Sequence, residues 1–192
     1  AERQYRFPLE LGNQRPPTAQ WTITGGGASL LSNKPSKIKI NAVTFGKVID
    51  YGIEDVNNMG AAMAPAACDT IKSFLIDTKT KPSDYDLILT GDLGRTGSQL
   101  LLELLQKENI DISRLHNDCG MMIYDIEKQD VHAGGSGCGC CGSVLCGYIL
   151  ENMCKGKLKN ILVAATGALM SPTANQQGES TPGIAHLIHL EI

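Results

Sequence analysis

The chain has 192 residues, 42% of them hydrophobic and 19% charged, and its net charge at neutral pH is −3. That length suits one domain or slightly more, with a sizeable core. The lack of a basic tract argues against nucleic acid or an acidic membrane surface as a partner, and no apolar run reaches membrane-spanning length.

The opening residues do not read as a signal peptide. Residues 1–20, with Pro8, Pro16 and Pro17, read as an extended leading segment without a core of its own. Residues 21–31 read as a strand interrupted by Gly25, Gly26 and Gly27, a pattern that marks a bulge or close backbone approach. Residues 33–36 form a turn. Residues 37–50 alternate through Ile38, Ile40 and Ala42 and predict a half-buried strand. Residues 57–77 predict a helix of small residues. Proline is tolerated in a first turn, so Pro65 places the start of the regular part near Ala62. Its buried stripe is Met63, Ala67, Ile71, Phe74 and Leu75.

Residues 86–90 read as a short buried strand, parallel to its neighbours. A turn over residues 91–97 leads into a helix carrying Leu100, Leu101, Leu104 and Leu105. Residues 118–124 are a short irregular or strand piece. Residues 158–166 predict another buried strand and residues 167–182 a polar loop. Residues 183–192 predict a last strand alternating through Ile184, His186, Ile188, Leu190 and Ile192. Strands alternating with helices and closing on an antiparallel pair make the chain α/β.

Residues 130–147 organise the rest. Small residues from Ala133 to Cys138 lead into an apolar segment with Val144, Leu145, Cys146, Tyr148, Ile149, Leu150 and Met153. A helix apolar nearly all round is buried on every side, so an enclosed central helix is expected here, its N-terminus favouring an anion.

Gly91, Gly94 and Gly97 sit between strand and helix, but not in the dinucleotide spacing; a tight turn with close helix–strand packing is the better reading. The glycine loop lacks the Lys-Ser/Thr ending of a nucleotide-binding P-loop. Cys138, Cys140 and Cys141, with Cys119 and His132, do not have the paired spacing of zinc ligands, and small buried side chains explain them better. Cysteines this close along one loop and helix are no disulfide framework, which points to a reducing compartment. His132 is the histidine placed beside the glycine loop, whereas His186 reads as a core histidine. Asp92 stands at the end of its strand, where it either contacts a ligand or caps the next helix.

Several segments resemble the stage V sporulation protein AD family of spore-forming bacteria, within the thiolase-like superfamily. They include Thr24-Gly25-Gly26-Gly27, Asn58-Met59-Gly60-Ala61-Ala62, Thr90-Gly91-Asp92-Leu93-Gly94, Asp118-Cys119-Gly120, Gln129 to Cys140, and Ala165-Thr166-Gly167. The resemblance implies mixed five-stranded sheets layered with helices, α-β-α-β-α in the complete protein. On it, residues 21–31 correspond to the last strand of a first half and residues 21–192 as a whole to the C-terminal half. The missing N-terminal half carries the nucleophilic cysteine of the related condensing enzymes. Made alone, this half is expected to dimerise or exchange domains through its uncovered apolar face.

Those enzymes carry a histidine after the strand that here ends Leu89-Thr90-Gly91, and an asparagine at about Gly135 or Ser136. Neither residue is present. Glycine and threonine do not replace an imidazole base, so no condensing enzyme is expected. The resemblance implies instead binding of dipicolinate (pyridine-2,6-dicarboxylate), with or without calcium, and its uptake into the spore. The setting would be intracellular and peripheral at the spore inner membrane, among the other proteins of that transport system. Acyl transfer and a purely structural subunit are the alternatives. The expected ligand-binding set is Thr90, Gly91, Asp92, His132, Gly134, Gly135, Ser136, Gly137 and Cys138, with no catalytic residue, metal ligand or cofactor.

Overall fold

The structure, a computed structural model, describes residues 16–192, so most of the leading segment predicted over residues 1–20 lies outside the described residues. Five strands form one mixed sheet in the order β2 (Lys39–Thr44), β7 (Gly183–Glu191), β6 (Asn160–Ala168), β3 (Leu87–Thr90) and β4 (His116–Asp118). β3 runs parallel to both β4 and β6, whereas β7 is antiparallel to β6 and β2. The expected α/β class with a mixed five-stranded sheet is what forms. Among the described residues no helix is long and apolar enough to cross a membrane.

Strand alternation divides the apolar residues between two layers. Ile88, Leu162, Ala164, Ala185 and Leu187 pack against helices α1 (Met59–Thr78) and α2 (Gly94–Lys107). Leu89, Ile161, Val163 and Leu190 pack against the central helix. In β7 this reverses the expected emphasis. Ala185 and Leu187 are fully buried, Ile184 is half-buried, and His186 is exposed, its Nδ1 accepting from Gly46 N at 3.0 Å. The alanine-rich face of α1 covers the first side closely, and the cover on the second side stops short of His186. β2 is also more open than a half-buried strand. It is an edge strand with a bulge between Ile40 and Ala42, and Ile40 and Val43 are exposed.

α1 starts at Met59, three residues before the position expected from Pro65. Asn58 caps it, its side chain accepting from Ala61 N at 3.3 Å. The cap and the burial of Gly60, Ala61, Ala62 and Ala64 hold the first turns, and an interior proline removes only one intrahelical donor. The stripe Met63, Ala67, Ile71, Phe74 and Leu75 is buried as expected. Gly97 differs from its predicted role: it meets helix α1 rather than a strand, because a Cβ there would lie 2.7 Å from Gly60 Cα.

The central helix is built from α4 (Cys140–Val144), a π turn (Leu145–Ile149) and α5 (Leu150–Cys154). It is not enclosed on every side. Its buried positions are Cys140, Val144, Ile149 and Met153, a single stripe, and Tyr148 is exposed. The spacing explains the π turn. An α-helix continued from Val144 would turn Gly147 or Tyr148 toward the sheet; the extra residue brings Ile149 round instead.

β1 (Trp21–Thr22) is shorter than the predicted strand because its partner, β5 (Gly135–Ser136), has two residues. Beyond it the glycines allow the expected close approach. A Cβ on Gly27 would stand 2.1 Å from Gly142 O, and one on Gly139 2.1 Å from Gly25 O.

Candidate functional site

The parallel strands β3 and β4 end side by side, and each delivers a polar residue there, Thr90 and Asp118. The chain leaving β3 starts α2, and the chain leaving β4 starts the short helix α3 (Cys119–Met122). Asp118 serves both helix starts. Its Oδ2 accepts from Leu93 N at 2.8 Å, and its Oδ1 from Gly94 N at 2.9 Å and Met121 N at 3.3 Å. Thr90 Oγ1 donates to Oδ2 at 2.6 Å. Asp118 has no solvent exposure, and burial pushes its carboxyl up to about 6, with the Asp92 charge acting in the same direction.

His116, at the start of β4, approaches Thr90 Oγ1 with Nε2 at 3.1 Å. Because the Thr90 proton goes to the carboxylate, the imidazole Nε2–H is the donor in that contact. Burial lowers the His116 pKa to about 4, so the ring is neutral at pH 7.

Asp92 organises the opposite side. Its Oδ2 accepts from Ser136 Oγ at 2.8 Å and Gly137 N at 2.9 Å. Thr166 Oγ1, on β6, donates to Asp92 Oδ1 at 2.9 Å and accepts from Asp92 N at 2.9 Å. Gln20 Nε2 ties Asp92 O to Gly135 O, 2.9 Å from each. Asp92 is thus neither a simple helix cap nor an open ligand contact: it fastens the glycine loop to β6.

The loop's own backbone is also engaged. Gly134 O accepts from Trp21 N at 2.8 Å and Ser136 O from Ile23 N at 2.9 Å, while Gly134 N donates to Val131 O at 2.9 Å. Gly134 has φ +109°, and a Cβ there would lie 2.5 Å from Gly120 O, so only glycine fits.

Of the expected set, Thr90, Gly91, Asp92, Gly135, Ser136 and Gly137 converge around the two carboxylates. Gly91 lies against β6, its N–H donating to Ala164 O at 3.0 Å. The Thr90 and Ser136 hydroxyls are fully buried and face carboxylates rather than solvent. His132 turns aside: its Nδ1 lies 3.1 Å from Pro16 O and its Nε2 3.4 Å from Asp130 Oδ1. Cys138 is exposed on the outer edge of the loop. Four members of the network, Gln20, His116, Asp118 and Thr166, were missing from the expected set. Asp118 and Thr166 lay within segments that carried the resemblance, and that was the available signal.

Chemically, this arrangement positions a loop. The Thr90 hydroxyl is not an accessible nucleophile, because it is buried with its proton already donated. Among the described residues, no group of three or more His, Cys, Asp or Glu side chains is placed to hold a metal ion. An open cleft of about 450 Å³ lies between α3 and the central helix, lined by Met122, Ile123, Ser143, Val144 and Tyr148.

The family comparison matches residues 1–191 to Stage V sporulation protein AD. A curated protein of that description from Bacillus subtilis (strain 168) is 48% identical over 191 residues. The match takes in all of this chain and 56% of that protein, so the chain spans little more than half the length of its relative. Among solved structures, the chain is similar to 3-oxoacyl-[acyl-carrier-protein] synthase III from Aquifex aeolicus VF5, at 13% identity and TM-score 0.43 over 84% of this chain and 47% of that one. It is also similar to an acetyl-CoA acetyltransferase from Syntrophomonas wolfei, at 15% identity and TM-score 0.40 over 79% of this chain and 32% of that one. The match through residues 1–191, together with 48% identity, places the chain in the stage V sporulation protein AD family.

Proposed function

We propose that this chain is part of a non-catalytic protein that binds dipicolinate and supports its uptake into the developing spore. The family gives the role in sporulation. The reading of a binder rather than a catalyst rests on Thr90. Where the resemblance implies a base in the condensing enzymes, Thr90 is a fully buried hydroxyl whose proton is held by Asp118. The neutral His116 imidazole touches the same oxygen and donates to it, so it does not serve as a base there.

Asp92 and Asp118 are poor direct partners for a dianion. Asp92 instead fixes the Ser136 and Gly137 donors, which shapes the loop edge at Gly137 and Cys138 where a ligand carboxylate can arrive. Arg95 stands beside this loop, its N–H donating to Ala133 O at 2.7 Å, and its guanidinium pairs with the exposed carboxylate of Glu127. A dianion at the loop edge would compete with Glu127 for that cation. Calcium would arrive as part of a dipicolinate chelate. Leu30, Leu31 and Phe45 are strongly exposed, which suits cover by the remainder of the complete protein, by a second copy, or by membrane-bound partners of the transport system.

The test is calorimetric titration of dipicolinate into the complete protein, with pyridine-2-carboxylate as control. Saturable heat with the dicarboxylate and none with the control supports the reading. No binding, with tight association to other sporulation proteins, would replace it with an assembly role. Turnover of an acyl thioester would replace it with acyl transfer.

A further inference from the structure

The chain has no basic tract, yet the fold gathers six lysines at one corner. Lys34, Lys37 and Lys39 lie on the approach to β2 and on its first residue, and Lys155, Lys157 and Lys159 on the segment between α5 and β6; all six are exposed. Two contacts bring these segments together. The Lys37 ammonium donates to Cys154 O, at the C-terminal end of the central helix and 117 residues away in the chain. Lys39 and Asn160 both stand opposite Glu191, on the two sides of β7. Three carboxylates border the corner: Glu151 pairs with Lys155, Asp86 accepts from Lys159 N at 2.7 Å, and Glu191 lies opposite Lys39. Six cations against three carboxylates leave a local excess of positive charge, in a chain whose net charge is −3.

We propose that this lysine corner is a docking surface for an anionic phospholipid bilayer. The composition favours lipid over a protein partner. Residues 34–39 and 155–159 hold no arginine and no aromatic residue, the side chains that anchor protein interfaces, where lysine is depleted. Long, exposed ammonium groups suit a plane of phosphate headgroups, toward which each lysine adds attraction and none needs a fixed partner. No described helix can cross a membrane, so contact through this corner would be adsorption at the headgroups. The corner lies at the far end of the sheet from the glycine loop. β6 begins at Asn160 beside the lysines and carries Thr166 to Asp92, roughly 20 Å along the strand. Adsorption would therefore leave the loop directed away from the bilayer, and the inference is independent of what the loop binds.

The test is co-sedimentation of the complete protein with vesicles of phosphatidylcholine alone and of phosphatidylcholine mixed with phosphatidylglycerol. Binding is expected to the mixed vesicles only, and to weaken as salt is raised. The triple variant K34Q/K157Q/K159Q spares the Lys37 and Lys155 contacts. It should lose roughly tenfold or more in vesicle affinity with an unchanged melting temperature. K47Q/K107Q/K128Q removes the same charge from other exposed positions and should bind like the wild type. Equal losses in the two variants would overturn the proposal, as would wild-type sedimentation that is absent or independent of phosphatidylglycerol. Capture of polyglutamate through Lys34, Lys157 and Lys159, with no vesicle binding, would assign the corner to an acidic protein segment instead.

Discussion

His116 and Asp118 meet across one hydroxyl: His116 Nε2 lies 3.1 Å from Thr90 Oγ1, which donates its proton to Asp118 Oδ2 at 2.6 Å. Burial moves the two groups in opposite directions, the carboxyl from 3.8 up to about 6 and the imidazole from 6.5 down to about 4. Between those limits the folded state binds the Asp118 proton more tightly than the unfolded chain does. The Asp118 contribution is therefore full at low pH and is lost as pH rises toward 6. For His116 the unfolded chain binds the proton more tightly, so its contribution is full above 6.5 and is lost as pH falls toward 4. Each slope amounts to about 3 kcal/mol across its window, and they oppose. Urea denaturation from pH 4 to 6 is expected to show a nearly flat profile for the wild type. His116→Gln should lose stability as pH rises, and Asp118→Asn should lose it as pH falls. Slopes of the same sign in both variants would contradict the opposed pair.

Gly97→Ala is expected to destabilise the protein by about 1–3 kcal/mol, since its Cβ would sit 2.7 Å from Gly60 Cα and 2.8 Å from Gly60 O, both backbone atoms. Gly147→Ala is the contrast. Nothing lies within 4 Å of a Cβ there, and alanine reduces the freedom of the unfolded chain, for a gain of up to about 1 kcal/mol. Melting temperatures should therefore move in opposite directions. Equal losses would mean that α1 and α2 do not meet at these glycines.

Ile149 and Tyr148 report on the π turn. Ile149→Ala removes a fully buried side chain and is expected to cost about 2–5 kcal/mol, whereas Tyr148→Ser, at an exposed position, should stay within about 0.5 kcal/mol. Chemical denaturation of both variants checks this. A larger loss at Tyr148 would mean that the helix continues as plain α through Leu145–Ile149.

What the sequence made legible were features set by short-range periodicity. β3 and β6 are apolar runs of strand length, and Leu101 and Leu105 repeat at helical spacing. Pro65 misled because a cap at Asn58 and a packed alanine face outweigh one missing donor. The stripe of the central helix was hidden by the π turn, which breaks the 3.6-residue period at Ile149. Asp92 and Ser136 are 44 residues apart, and Thr90 and Asp118 28 apart; no local pattern reports such pairings. Resemblance marked the segments around Asp118 and Thr166, but their roles required the fold.

Asp92 offers the last test, since three donors converge on its carboxylate from Ser136, Gly137 and Thr166. Asp92→Asn keeps the shape but turns one acceptor into a donor facing those groups. The expected cost is about 1–3 kcal/mol, because buried polar groups lose their partner. The effect should be local first: the loop is pinned at Gly137 by this carboxylate, so amide exchange at Gly137 should accelerate at least tenfold. Exchange in the β6–β7 pair, where nine residues of each strand are matched, should follow only the global loss. If the loop edge is where dipicolinate arrives, the variant's affinity should also fall, and more steeply than that of His132→Ala, whose ring faces Pro16 and Asp130. Protected exchange at Gly137 in Asp92→Asn would show that the loop holds its shape without this carboxylate.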